Sequence, residues 1–159
     1  MRYAEIKPVD LNNGDGINIS LWVSGCPHKC FGCHNRDLWD KQVGEEFTDD
    51  TVCDILMLLN RPWKPDLSIL GGEPLADYNY EEISHLCSIV KQEYPDRKIW
   101  LWTGYELEDL GEKTKILHYI DYLITGKFDI TQKEEGLKYR GSKNQIVWKV
   151  EEGIPTCWI

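Results

Sequence analysis

Short apolar runs alternate with segments of helical period along most of this chain, and that alternation narrows the fold more than any single residue does. Ile17–Val23 (I-N-I-S-L-W-V), Leu67–Leu70 (L-S-I-L), Lys98–Thr103 (K-I-W-L-W-T), Asp121–Thr125 (D-Y-L-I-T) and Gln145–Val150 (Q-I-V-W-K-V) read as strands. After the first, Asp49 or Asp50 can cap a helix that runs to about Asn60, with Val52, Ile55, Leu56 and Leu59 on one face. Pro62 and Pro65 end it. Asn79 caps a second helix, to about Tyr94, in which Tyr80, Ile83, Cys87, Val90 and Tyr94 keep the three–four spacing of a core-facing stripe. A third helical stretch is expected over roughly Leu107–Tyr119.

Apolar strands separated by amphipathic helices predict the α/β class with a mainly parallel sheet. A closed eight-stranded barrel needs roughly 250 residues, and the chain has 159. About five or six strands are legible, so the expectation is an open sheet or open partial (β/α) barrel in a single domain over residues 1–159. In either arrangement, sites gather at the carboxyl ends of the strands. A cysteine loop, Gly71-Gly72-Glu73-Pro74 and Thr103-Gly104 each follow a predicted strand directly. They should meet at one edge of the sheet.

The cysteine loop is S-G-C-P-H-K-C-F-G-C-H-N, Ser24 to Asn35. Four cysteines around zinc usually come as two C-x-x-C pairs, whereas Cys26, Cys30 and Cys33 are spaced C-x3-C-x2-C on one loop. Three thiolates that close can hold three corners of a cubane iron–sulfur cluster, with the fourth iron open to a small chelating molecule. On spacing alone, zinc with His28 or His34 as fourth ligand stays open. Cys53 and Cys87 fall on predicted helices and read as small core residues. Cys157 is undecided.

Nothing marks the chain as secreted. The N-terminal segment lacks the apolar core of a signal peptide, and no apolar run approaches the roughly 20 residues a membrane helix needs. A cytoplasmic protein is the default expectation, and there a cysteine cluster binds metal or does redox work more often than it forms disulfides. The net charge of −9 reads as a solvated acidic surface and argues against nonspecific nucleic-acid binding, which needs a basic face.

These residues carry a resemblance. Cys26-x3-Cys30-x2-Cys33 resembles the signature of the radical S-adenosylmethionine enzymes. The resemblance implies that the three cysteines hold a 4Fe-4S cluster and that S-adenosylmethionine, as cosubstrate, chelates the open iron. It implies reductive cleavage to methionine and a 5′-deoxyadenosyl radical, with no catalytic residue beyond cluster and cosubstrate. Gly71-Gly72-Glu73-Pro74 is similar to the superfamily's glycine-rich segment at the methionine amino group; a backbone without Cβ permits close approach, and a carboxylate suits an ammonium. By the same resemblance Gly32 and His34 lie where the adenine is contacted, Gly71, Gly72 and Glu73 hold the methionine part, and Thr103 is a further contact.

The resemblance narrows over most of the chain. Asn13-Gly14-x-Gly16, Val23-Ser24-Gly25-Cys26, Cys33-His34-Asn35-x-x-x-Trp39, Trp102-Thr103-Gly104-Tyr105, Gly126-Lys127-Phe128 and Tyr139-Arg140-Gly141-Ser142-x-Asn144-Gln145 are together similar to the activating proteins of the anaerobic ribonucleoside-triphosphate reductase. Those are small glycyl-radical activases. Membership implies hydrogen abstraction from a backbone glycine of the reductase large subunit. It implies reduced flavodoxin, ferredoxin or a similar electron donor, and no nucleic-acid or membrane partner. The chain departs from the family pattern at Asp15 and Asn18, where N-G-P-G-x-R is usual, at Thr125, where Asp precedes the glycine, and at Ile146, where Arg is common. These departures bear on partner contacts and cofactor details. Trp39, Trp63, Tyr105 and Trp158 are candidate docking aromatics. A radical enzyme acting on a small molecule and a noncatalytic zinc module are the competing readings.

Overall fold

Alternation within the strands decides how the sheet is covered. A computed structural model describes residues 1–159. Its elements are β1 (Arg2–Asp10), β2 (Asn18–Val23), β3 (Glu45–Glu46), α1 (Asp49–Leu59), β4 (Asp66–Gly71), α2 (Tyr80–Glu93), β5 (Ile99–Trp102), β6 (Tyr122–Thr125), β7 (Ile146–Glu151) and β8 (Ile154–Cys157). Ile19, Leu21 and Val23 of β2, Leu67 and Ile69 of β4, Ile99 and Leu101 of β5 and Leu123 of β6 all point to one face. There they pack with Val52, Ile55 and Leu59 of α1 and Ile83, Leu86, Cys87 and Val90 of α2 in one buried core. The opposite face carries aromatic rings in place of helices. Trp100 stacks on Tyr122 with centroids 3.8 Å apart, and Trp102 and Tyr139 pack beside them.

The eight strands form one open sheet in the order β3-β1-β2-β4-β5-β6-β7-β8. Only its centre is parallel, β2 to β4 to β5 to β6. Both flanks are antiparallel. This corrects the expectation of a mainly parallel sheet of five or six strands, and no barrel closes. The excess comes from elements with weak apolar signal. β1 (R-Y-A-E-I-K-P-V-D) is half-exposed along most of its length, and β8 (I-P-T-C) is mostly exposed. A two-residue hairpin joins β7 to β8, with Glu152 at φ 51° and Gly153 at φ 77°, the left-handed pair that such turns need.

Three local expectations also shift. Thr48 precedes α1 in place of Asp49 or Asp50; its N–H donates to the Thr51 hydroxyl at 3.1 Å, and the two aspartates sit in the first turn, where they suit the helix dipole. Asn79 occupies the N-cap position of α2 but makes no side-chain cap. Leu107–Tyr119 is not one helix: it forms 3-10 segments at Leu107–Asp109 and Gly111–His118, the second opening on Gly111 at φ 54°. No helix is long and apolar enough to cross a membrane.

Candidate metal centre

Each central strand ends in a loop that turns into the same cavity of about 160 Å³. β2 delivers Cys26, Cys30 and Cys33, β4 delivers Gly71, Gly72 and Glu73, β5 delivers Thr103 and Gly104, and β6 delivers Gly126 and Lys127. The loops predicted to meet do meet. The seam between the first two is main chain: β2 and β4 pair in register up to Val23 and Gly71, then the Gly72 N–H donates to the Val23 carbonyl at 2.8 Å and the Glu73 N–H to the Gly25 carbonyl at 2.7 Å. The Asn35 amide donates to the Gly71 carbonyl at 3.2 Å, and the buried Asn79 amide donates to the carbonyls of Ser24 and Glu73, each at 3.0 Å. That bridging orients the Asn79 side chain towards the seam and leaves its Oδ1 without a partner at the helix.

The cysteines are free thiols of intermediate exposure. Burial pushes the Cys26 thiol up, opposed by the backbone N–H groups of His28 and Lys29 that point at its sulfur. Burial raises Cys30 as well, opposed by the Phe128 backbone N–H. Amide donors aimed at sulfur, soft thiolate ligands and an open cavity suit an iron–sulfur cluster, whose properties are tuned by such hydrogen bonds.

A single zinc ion fits less well. His28 is turned to Glu73, its Nε2–H donating to the carboxylate at 2.6 Å, and His34 is exposed, tilted against Phe128 at a centroid distance of 5.8 Å. No three His, Cys, Asp or Glu side chains converge to the spacing one ion requires. Thiolates that each bind their own corner iron of a cubane stand farther apart than ligands sharing one ion.

Glu73 lines the cavity and is also the hub of its hydrogen bonds. Its carboxylate is 1% exposed and accepts four hydrogen bonds: from His28 Nε2 at 2.6 Å, the Gly104 N–H at 2.7 Å, the Thr103 hydroxyl at 2.8 Å and the Leu75 N–H at 2.9 Å. An ionised carboxylate has about four acceptor sites, so these four bonds hold it firmly in place. Glu73 ties three loops together, and the Thr103 hydroxyl is spent on it.

Gly71 and Gly72 line the cavity, and Gly32 and His34 stand beside its lining. Gly32 has φ 75° and faces Ile130, so its glycine is explained by the turn. Sequence reasoning weighed His28 only as a zinc ligand and missed its bond to Glu73; its position inside the C-x3-C spacing was the one signal that pointed there. Gln145, at the end of the Y-R-G-S-x-N-Q motif, accepts from the Gly141 N–H at 2.9 Å and donates to the Gly126 carbonyl at 2.9 Å, closing the cavity's β6 side. Cys87 is buried in the core as expected, but Cys53 is exposed, because α1 turns that position outward, and Cys157 is exposed on β8. A larger cavity of about 540 Å³ lies at the other end of the sheet, but its Lys91, Lys98 and Lys149 already pair with Asp121 and Glu151.

Comparison with known proteins agrees with this geometry. Residues 12–148 match a family described as 4Fe-4S single cluster domain. The anaerobic ribonucleoside-triphosphate reductase-activating protein of Enterobacteria phage T4 is 42% identical over 154 residues, covering 97% of both chains. The chain belongs to this family of activating proteins. Its members in Vibrio cholerae and Haemophilus influenzae are 40% and 41% identical over 150 residues, 92% of this chain and 97% of each relative. Cys26, Cys30, Cys33 and the cavity they line all fall inside the matched 4Fe-4S region.

Proposed function

We propose that the chain is a cytoplasmic iron–sulfur activase that cleaves S-adenosylmethionine reductively and installs a glycyl radical on an anaerobic ribonucleotide reductase. One observation carries the reading: Cys26, Cys30 and Cys33 line the same cavity as the glycine backbone of Gly71 and Gly72, at the carboxyl ends of parallel strands. The names of its relatives supply the reductase. Cys26, Cys30 and Cys33 would hold a 4Fe-4S cluster. When bound, the cluster supplies the electron that breaks the sulfonium bond of the cosubstrate and so yields the radical that takes hydrogen from glycine.

The chain's own residues do the rest. Gly71 and Gly72 have no Cβ to force β4 away from β2, so bare main chain closes the seam and lines the cavity, where the methionine part of the cosubstrate would contact it. Glu73 and Thr103 act behind that backbone, fixing the β4 and β5 loops to each other through the 2.8 Å bond between them. The open, helix-free face of the sheet leaves a side by which a partner loop can enter. Trp63 is 49% exposed and Trp158, though packed against Tyr122 and Tyr139, is still 44% exposed, so both offer surface for docking, while Trp39 and Tyr105 are partly buried. The electron comes from reduced flavodoxin, ferredoxin or a similar donor.

Anaerobic reconstitution with iron and sulfide, followed by reductant and S-adenosylmethionine, tests the reading. Methionine and 5′-deoxyadenosine should form in equal amounts, and Cys30→Ala should abolish both products. Cleavage that survives Cys30→Ala, or zinc filling the site of protein purified without oxygen, would contradict it.

A further inference from the structure

We propose that His28 is a positioning residue: it clamps the middle of the cysteine loop onto Glu73, and so fixes the cysteine ligands relative to the Gly71–Gly72 backbone. The proposal rests on the reading above for what the cysteines and glycines hold.

The loop has little else to hold it. Between Cys26 and Cys33 there is no helix or strand, Lys29 sits at φ 49° and Gly32 at φ 75°, and the single backbone bond within the stretch is Cys33 N–H to the Cys30 carbonyl at 3.2 Å. Its ends are secured: Cys26 N–H donates to the Trp39 carbonyl at 3.1 Å, and Asn35 reaches Gly71. Apart from the ligand sulfurs, His28 is the only side chain from Cys26 to His34 with a hydrogen bond to another loop.

The clamp is built on both partners. The His28 side chain is 7% exposed and that of Glu73 1%. The imidazole packs edge-on against Tyr105 at 4.6 Å between centroids. Gly104 lies against the ring so closely that a Cβ there would collide with it. Glu73 is in turn held by the Thr103 hydroxyl and the Gly104 N–H. A rigid chain of contacts therefore runs from β5 through Glu73 to the middle of the ligand loop. Removing the donor leaves a buried carboxylate oxygen short of one of its partners, and the loop loses its only tether through a side chain other than the cysteines.

Three variants separate this role from general packing. His28→Phe keeps a ring against Tyr105 and removes the donor. His28→Gln restores an N–H at the reach of Nε2. Gly104→Ala keeps His28 but displaces its ring. In metal-free protein, amide hydrogen exchange over residues 26–35 should quicken roughly tenfold in His28→Phe and Gly104→Ala, and far less in His28→Gln. In reconstituted protein, iron and sulfide content should hold, because the three cysteines remain. The KM for S-adenosylmethionine should rise roughly tenfold with a smaller change in kcat, and the shift that S-adenosylmethionine causes in the reduced cluster's paramagnetic spectrum should weaken. If His28→Phe and Gly104→Ala match the wild type in exchange and KM, or if His28→Gln is as loose as His28→Phe, the clamp is wrong. Should His28→Phe fail to fold, Gly104→Ala against His28→Gln decides. A wild-type protein that loads its cluster but shows no response to S-adenosylmethionine would overturn the activase reading instead, and the exchange comparison would still judge the clamp.

Discussion

The Tyr139 hydroxyl donates to the Asp15 carboxylate across 124 positions of sequence. Asp15 is one of the places where the chain departs from its family's glycine-rich segment, so that departure has a partner inside the molecule. Tyr139 also stacks on Trp158 at 5.5 Å, and its carbonyl accepts from the Trp102 indole N–H at 2.6 Å. Tyr139→Phe should keep the ring stack and lose the hydroxyl bond, a cost of about 0.5–1 kcal/mol at this half-exposed site, read by urea denaturation.

The same pair should give an alkaline limit to stability. Burial, then the Asp15 carboxylate, push the Tyr139 hydroxyl from 10.0 to about 12. The folded state therefore holds this proton more tightly than the unfolded chain does. The contribution is complete below pH 10 and falls away as pH rises from 10 towards 12. Denaturation midpoints of wild type and Tyr139→Phe should converge over that range; a constant gap would contradict the coupling.

Cysteine reactivity should sort by environment. Burial in the core raises the Cys87 thiol to about 12, whereas Cys53 and Cys157 are exposed. The thiolate is the nucleophile, so alkylation of folded metal-free protein at about pH 8 should mark Cys53 and Cys157 quickly and spare Cys87 until the chain unfolds. Loading the cluster should protect Cys26, Cys30 and Cys33. Peptide mass spectrometry reads all six, and early labelling of Cys87 would count against the core packing.

Gly72→Ala should injure the seam between β2 and β4. A Cβ there would drive into the Gly25 carbonyl, which accepts the Glu73 N–H at 2.7 Å and immediately precedes Cys26. Backbone must move to make room, at about 1–3 kcal/mol. A lower melting temperature and poorer retention of iron on gel filtration are expected together.

Glu73→Gln should be worse for the site than its size suggests. The amide turns at least one of four accepting positions into a donor facing a donor, among His28, Thr103, Gly104 and Leu75. A destabilisation of about 1–3 kcal/mol is expected by thermal unfolding, because three loops loosen together. A variant of unchanged stability would contradict this bracing role.

The strands that position the site were legible because each is an apolar run buried on the helix side: Asn18–Val23, Asp66–Gly71, Ile99–Trp102 and Tyr122–Thr125 all fall close to their expected bounds. Of the flanking strands β7 was legible as Gln145–Val150, but β1 and β8 were not, since they are largely solvent-facing and carry Lys, Glu and Pro where periodicity is read. The meeting of the cysteine loop with Gly71-Gly72 followed from each standing directly after a predicted strand, at the carboxyl ends of a parallel sheet. The destination of the Glu73 carboxylate did not. Local sequence shows a carboxylate beside two glycines, whereas its partners His28 and Thr103 lie 45 and 30 positions away. Gly32 and His34 were placed near the cavity by analogy with the superfamily; Gly32 faces Ile130, and His34 packs against Phe128, which itself lines the cavity.

The most direct test mixes the reconstituted protein anaerobically with an anaerobic ribonucleotide reductase, S-adenosylmethionine and a one-electron reductant, then records the electron paramagnetic resonance spectrum. The expected result is a protein radical signal on the reductase, split by the one hydrogen left on a glycine α-carbon and absent with Cys26→Ala, Cys30→Ala or Cys33→Ala. Cleavage of S-adenosylmethionine with no radical on the reductase would contradict the assignment.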